Sequence, residues 1–523
     1  MGEASSRADD ILAALDPEQR EVAASPVGPM CVLAGAGTGK TRAITHRIAY
    51  GVHSGAYVPQ RVLAVTFTAR AAGEMRTRLR ELGVGGVPAR TFHAAALRQL
   101  HFFWPQAVGG AAPEVLASKA RVVAESVSRL RMQFDRTAIR DLAAEIEWGK
   151  VSLLTPQSYA AGARRAGREA PGIDHTAMAR VWESYEERKT ERGVIDFEDV
   201  LLLMAGILDE RMDIARTVRD QYRHFVVDEY QDVNALQQRL LDLWLGGRDE
   251  LCVVGDPAQT IYTFTGATPE HLLTFRSRYP QARLVRLVRN YRSTPQILGL
   301  ANLVVRSARP SLRRPGVGGS AAARALPDHV DLQAQGEPGP QPRLTAYPDD
   351  PAEAAGVAGA IKALGDGGRP PGEIAVLFRT NAQSEGLESA LAALDVPYLV
   401  RGGERFFARQ EVRGAIVLLR GAVRGDDGSR PLPELVRDVL TGVGWAATPP
   451  TSGGAQRERH IQVLSHLVQV TFDHRVAHRC PRDDRCAVHL DQLGLRDLDL
   501  EGVDLHAQPT QARQPRGQRD GWH

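Results

Sequence analysis

Cysteine, lysine, aromatic residues and long apolar runs are all scarce in this 523-residue chain. Four cysteines provide no disulfide framework, and Cys31 and Cys252 sit inside apolar runs where they read as small buried hydrophobes. No continuous apolar stretch approaches the ~18 residues that a membrane-spanning helix needs, and the polar start MGEASSRADD has no apolar core of a secretory signal. These features point to a cytoplasmic protein with no membrane partner. Charge of one sign is not in excess: the net charge is +3, so any nucleic-acid partner must be held by a local groove rather than by the total. Of 65 basic residues only Lys40, Lys119, Lys150, Lys189 and Lys362 are lysines, a bias that fits a GC-rich genome. At this length three or four domains or subdomains are expected.

What is present begins with short Val/Ile/Leu-rich runs ending in polar loops, at 30–34, 62–66, 225–227, 251–254, 284–288 and 374–378. Runs of this length followed by helical segments read as buried parallel strands of an α/β sheet. Between about 103 and 192 the pattern stops. Segments such as 118–131 and 177–192 are Ala/Arg/Glu-rich and helical, a helical insertion interrupting the first α/β domain. Residues 309–342 are dense in Pro, Gly, Ala and Arg and read as an exposed linker.

The first run continues as MCVLAGAGTGKT (30–41): a strand, a glycine-rich turn, then a helix start. Such a loop cradles phosphates with the backbone N–H groups of Gly35, Ala36, Gly37, Thr38 and Gly39. Lys40 adds charge at the β/γ-phosphates, and the Thr41 hydroxyl is a Mg²⁺ ligand; Arg42 follows on the helix. Ala34 occupies the place of the usual first glycine. ATP with Mg²⁺ is the expected ligand. The third run, FVVDEYQD (225–232), ends in Asp228 and Glu229. Asp228 suits the metal, and Glu229 suits orienting and deprotonating an attacking water. The 188 positions from Lys40 to Asp228 exceed a minimal phosphate-loop domain, which agrees with an insertion.

With these motifs in order, the chain resembles the UvrD/PcrA/Rep helicases of superfamily one, most of all the second, actinobacterial type, over about 15–459. The resemblance implies two RecA-like parallel-sheet domains, the first interrupted by a helical insertion. It divides the chain into a first domain over 1–106 and 193–283, an insertion over 107–192 and a partial second domain over 284–420. A partial helical subdomain over 421–470 and a disordered tail over 471–523 follow. By resemblance LDPEQREVA places Gln19 at the adenine edge, and LVRNYRSTPQIL places Tyr291 on the adenine and Arg292 at the γ-phosphate. VVGDPAQTIYTFTGA makes Gln259 a phosphate sensor and turns Tyr262 and Phe264 toward bases. VLAVTFTARAAGEM, TFHA and IDFEDVLL imply DNA contacts by Phe67, Thr91 with His93, and Phe197. Stacking platforms contribute about 1–3 kcal/mol per base, so a few rings can hold a strand without basic excess. One departure is Phe264-Thr265 where the family has Trp-Arg, which keeps a ring and loses a charge.

The implied activity is ATP-dependent 3′-to-5′ DNA unwinding or translocation on single-stranded DNA and DNA junctions, alongside DNA-repair proteins. IAVLFRTNAQSEGLESAL and VPYLVRGGERFFARQEVRGAIVLLR resemble the start of the second domain, where Arg401, Arg405 and Arg409 are either phosphate contacts or a solvated face. Two later family motifs, one carrying a γ-phosphate arginine worth about 10³–10⁵ in rate, are not found, as in a shortened or frameshifted reading frame. The expectation is weakened turnover, and the alternative is an ATP- and DNA-binding chain without productive hydrolysis. His474, His478, Cys480, Cys486 and His489 lack zinc-site spacing and are not read as a metal site.

Overall fold

The computed structural model describes residues 2–308, 331–400, 414–415, 418–419, 422 and 432–442. The chain divides into two units, Met1–Arg343 and Leu344–His523. The first begins with helices α1 (Gly2–Ala13) and α2 (Pro17–Ala24), then strand β1 (Met30–Ala34) and helix α3 (Lys40–His53). It continues through β2 (Val62–Thr66), α4 (Ala69–Glu81), β3 (Ala89–Thr91) and α5 (Phe92–Ala107). After the short β4 (Glu114–Val115) come four helices: α6 (Lys119–Arg129), α7 (Arg136–Val151), α8 (Pro156–Arg165) and α9 (His175–Arg192). The chain then resumes with β5 (Val194–Ile195), α10 (Phe197–Glu210), α11 (Met212–Gln221), β6 (His224–Val227), α12 (Ala235–Leu245) and β7 (Leu251–Gly255). Two single-turn helices, α13 (Glu270–Leu273) and α14 (Phe275–Arg278), precede β8 (Arg283–Leu287), β9 (Arg289–Asn290), α15 (Pro295–Ala308) and β10 (Gln333–Ala334).

Six strands form one parallel sheet in the order β3-β2-β6-β7-β1-β8. The continuous apolar runs are explained by burial on both faces, since successive side chains of a strand point to opposite sides. Met30, Val32 and Ala34 join one core with Ile44, Ile48 and Met75. Cys31 and Leu33 join the other with Phe92, Met204 and Trp244. A third core, including Leu142, Tyr159, Trp182 and Tyr185, is internal to the four-helix segment. Local signals set the helix ends. Asp135, Thr155, Asp174, Asp196 and Asn234 each cap a helix through side-chain oxygens that accept backbone N–H groups. Gly193 and Gly246 close α9 and α12 in the left-handed conformation.

Three expectations change here. β8 was assigned by sequence to a second domain starting at 284, yet it is the edge strand of the first sheet, in parallel register with β1 from Met30↔Arg283 to Ala34↔Leu287. Within the expected linker 309–342, residues 333–334 instead pair with β9, and the backbone of Leu332 exchanges hydrogen bonds with the Asn302 amide at 3.1 and 3.2 Å. Strand 374–378 has no ladder among the described residues, and Leu377 is almost wholly exposed. An isolated extended segment has no neighbour to take its N–H and C=O groups, so no sheet is assigned. The second unit's described elements are helices Asp350–Asp366, Gln383–Ala393 and Leu432–Gly442, with a 3₁₀ turn at Pro371–Glu373. The arginines 401, 405 and 409, most of 421–470, all of 471–523 and the His/Cys group of the tail lie outside the described residues.

Candidate nucleotide and DNA site

At the carboxyl end of β1 the chain turns into α3 through Gly35–Thr41. Gly37 and Gly39 hold φ of 71° and 81°, left-handed values that glycine adopts without steric cost. The turn is braced from within, because the buried Thr38 hydroxyl donates to the Gly35 carbonyl at 2.9 Å. Gln19 is buried, and its amide donates to the Thr38 carbonyl at 3.0 Å, so in this state it ties α2 to the loop. Arg42 donates to the Ala14 carbonyl at 2.6 Å on the exposed side.

Strand β6, separated from β1 by β7, delivers the carboxylates. Lys40 Nζ lies 3.0 Å from Glu229 Oε2, and the Thr41 hydroxyl donates to Asp228 Oδ2 at 3.5 Å. Burial pushes the Asp228 carboxyl up to about 6; Glu229 adds to the shift and Lys40 opposes it. A buried carboxylate held against its preference, paired with a hydroxyl, is a donor set suited to a divalent cation. Glu229, whose carboxylate meets Lys40, holds a positive φ of 51°, which is uncommon for a non-glycine residue.

A strap crosses the loop from the other side. Asn290 is buried; its amide donates to the Ala36 carbonyl at 2.5 Å, and its oxygen accepts the N–H groups of Arg292 and Ser293 at 2.9 and 2.7 Å. The Tyr291 N–H donates to the Gly37 carbonyl at 3.0 Å. The Tyr291 hydroxyl donates to Asp16 Oδ2 at 2.6 Å, while Asp16 Oδ1 caps α2 by accepting the Gln19 N–H at 2.7 Å. Burial and the Asp16 carboxylate together push the Tyr291 phenol up to about 12. Arg292 is exposed, its Cβ beside Gly37.

The expected DNA rings gather in two groups, one of three and one of two. Phe67 and Tyr262 stack with centroids 4.9 Å apart, with Phe264 6.2 Å from Tyr262. His93 and Phe197 stack at 3.9 Å and 13°. Phe67, Phe197 and Phe264 are all exposed although large and apolar, the kind of exposure that calls for a partner. Burial, with Lys119 adding, pushes the His93 imidazole down to about 4, so it is neutral near pH 7. Thr91 caps α5 by accepting the Ala94 N–H at 3.1 Å. Gln259 donates to Asp256 at 2.7 Å within its own turn, and no hydrogen bond joins it to Lys40 or Glu229 in this state.

Sequence reasoning missed three residues here: Asp16, Asn290 and Gln231. Gln231 is buried and its amide donates to Glu229 Oε2 at 2.8 Å and Asp232 Oδ2 at 3.1 Å, while its carbonyl accepts the Asp256 N–H at 3.0 Å. It thereby links the ends of β6 and β7. Its position inside FVVDEYQD was a signal, but nothing in the residue type alone distinguishes it from a surface glutamine.

Comparison with known proteins decides the family. The UvrD/REP helicase N-terminal domain matches residues 15–280, and the UvrD-like helicase C-terminal domain matches 285–469. The chain belongs to the UvrD/REP helicase family. Among UvrD relatives, ATP-dependent DNA helicase UvrD2 of Mycobacterium tuberculosis is 47% identical over 487 residues, covering 90% of this chain and 67% of that protein. UvrD1 of the same organism is 34% identical over 79% of this chain and 53% of its own length. DNA helicase II of Escherichia coli is 32% identical over 83% of this chain and 58% of its own. Members of the UvrD family are ATP-hydrolysing helicases, and the α/β architecture with its parallel sheet agrees with a RecA-like fold. No described helix is long and apolar enough to cross a membrane.

Proposed function

We propose that this chain is an ATP-driven DNA translocase of the UvrD type, moving 3′ to 5′ on single-stranded DNA at junctions in DNA repair. The observation that carries the reading is a continuous chain of contacts from the phosphate loop to the exposed rings. Lys40 meets Glu229, Glu229 accepts from Gln231, and Gln231 holds the N–H of Asp256. Asp256 begins the turn that ends in Tyr262, whose ring stacks on Phe67. A change in charge at the γ-phosphate therefore has a direct mechanical route to the DNA-facing surface.

In this mechanism the loop N–H groups and Lys40 hold the phosphates, and Arg292 reaches the γ-phosphate from the strap. Thr41 and Asp228 are the residues that would hold Mg²⁺, which supplies charge neutralisation on the phosphate oxygens when bound. Glu229 orients water and takes its proton. To do so it releases Lys40, which the γ-phosphate attracts away. Gln19 and Tyr291 flank the adenine, and Gln259 responds to the γ-phosphate once it arrives. Phe67, His93, Phe197, Tyr262 and Phe264 stack on bases, with Thr91 beside them.

The test is ATP hydrolysis by the purified chain with and without single-stranded DNA, with Lys40→Ala as control. Turnover stimulated by DNA and lost in Lys40→Ala is the expected result. Nucleotide binding without turnover would instead mean an ATP- and DNA-binding chain that does not cycle, and absence of nucleotide binding would overturn the reading.

A further inference from the structure

Three of the chain's five lysines lie in one place, although arginine serves almost everywhere else. Lys119 of α6, Lys150 of α7 and Lys189 of α9 converge on the N-terminus of α10. Lys150 Nζ lies 2.6 Å from Asp196 Oδ2, 2.6 Å from Asp199 Oδ1 and 2.8 Å from Glu186 Oε1. Lys189 Nζ lies 2.8 Å from Glu186 and 3.2 Å from Asp196, and also pairs with Asp199. Lys119 pairs with Glu198 and, at 3.3 Å, with Glu147. The side chains of Lys150, Lys189 and Asp196 are essentially inaccessible.

The carboxylates of Glu186, Asp196 and Asp199 converge closely enough to hold a metal ion. Two ammonium groups already fill that space, so lysines and not a metal ion serve these three carboxylates. It is also completed by neutral donors. The Tyr185 hydroxyl donates to Asp196 at 2.9 Å, and the Trp182 indole donates to Glu186 at 3.0 Å. Lysine suits this role because its compact ammonium can donate in three directions to three carboxylates, whereas a planar guanidinium imposes a fork.

The position of the cluster gives it a purpose. Asp196 and Asp199 form the capping box of α10, each accepting the other's backbone N–H at 3.0 and 2.9 Å. Phe197, the first residue of that helix, lies between them and stacks on His93. The lysines come from α6, α7 and α9, the helices of the insertion, while α10 packs on the sheet core. The insertion also reaches the other group of rings: Arg168, in the loop after α8, donates to the Phe264 carbonyl at 3.2 Å and covers Trp148 of α7 at 4.7 Å.

We infer that Lys150 and Lys189 are positioning residues: through Asp196 and Asp199 they fix Phe197 against His93, so that the helical insertion sets the geometry of this strand-contact pair. The inference rests on the reading of Phe197 and His93 as a DNA contact. Substituting a lysine leaves the rings in place but frees the first turn of α10 to move relative to His93.

The experiment is a double-mutant cycle on the full chain, read as affinity for a fluorescent oligothymidylate. Phe197→Ala is expected to weaken binding on the order of tenfold, the scale of one lost stack. Lys150→Met is expected to weaken it several-fold, and the double variant to bind no more weakly than Phe197→Ala alone. Tyr185→Phe, which removes one donor to Asp196 and keeps the packing, serves as the gentler perturbation and should show the same non-additivity on a smaller scale. Thermal unfolding is followed for every variant, and ATP hydrolysis without DNA is measured for Lys150→Met and Tyr185→Phe, where it is expected to be unchanged. If Phe197→Ala has no effect on binding, the contact reading and the inference both fail. If Phe197→Ala weakens binding but the Lys150→Met and Tyr185→Phe variants do not, or add independently to it, the positioning role alone is overturned and the cluster is only a structural pin.

Discussion

Gly37 shows how little room the phosphate loop leaves at the scale of a single residue. Its φ is 71°, and a Cβ there would stand 2.7 Å from both the Arg292 Cβ and the Asn290 amide nitrogen. The backbone penalty of a left-handed alanine is roughly 1–2 kcal/mol, and the contact with the strap adds to it. Gly28 separates the two effects, because its φ is 82° and nothing lies within 4 Å of its Cβ position. Gly28→Ala should therefore cost about the backbone term alone, while Gly37→Ala should cost more and weaken binding of an ATP analogue about tenfold or beyond. Thermal melts and analogue titrations of the two variants check this. Equal losses would mean that the strap gives way and does not shape the loop. The glycine-rich turn was legible in the sequence because its chemistry is local. Asn290 was not, since its role depends on a loop more than 250 positions away.

At the scale of elements, legibility followed burial. The runs at 30–34 and 62–66 coincide with β1 and β2 because both faces of those strands are covered, so every residue but the terminal Thr66 is apolar. β3 escaped notice: only three residues long, with Arg90 and Thr91 half-exposed, it carries no apolar run to read. The run at 374–378 shows the converse, an apolar stretch without a ladder among the described residues, since pattern reports the preference for burial and not the neighbour that provides it. Links between elements are the least legible features of all. Gln231 joins the end of β6 to the turn after β7 using both ends of one amide. Gln231→Leu keeps the volume and removes that link, leaving the Asp256 N–H and one Glu229 lone pair unserved at about 1–3 kcal/mol of desolvation. Hydrolysis stimulated by single-stranded DNA should fall by about tenfold or more, with basal hydrolysis falling less. An equal fall in both rates would place Gln231 in the chemistry and not in the coupling.

Across the whole molecule the two units differ in how their apolar residues are covered. The first unit holds strands β1, β2 and β7 fully buried between two helical layers, and Val32, Leu63 and Val253 have no measurable exposure beyond a few per cent. In the second unit Leu344, Leu377 and Leu399 are exposed, and Ala358 and Leu391 are among the few buried positions between 344 and 400. Exposed leucines at 94% and above forgo the burial that stabilises a core side chain by about 1.5–3 kcal/mol each, so the described part of this unit has little to oppose local opening. Opening free energies are set by such local differences and not by a single global value. Amide exchange followed by mass spectrometry should therefore be slower in β1, β2 and β7 than in 374–378 by about 10³-fold or more, the ratio produced by roughly 4 kcal/mol of opening free energy. The helices Asp350–Asp366 and Gln383–Ala393 should fall between, since their hydrogen bonds are internal to each helix while much of their surface is wet. Repeating the exchange with single-stranded DNA and a non-hydrolysable ATP analogue tests whether 374–378 gains protection when ligands bind. Slow exchange at 374–378 in the free chain would overturn this ranking and show that the segment already has a strand neighbour.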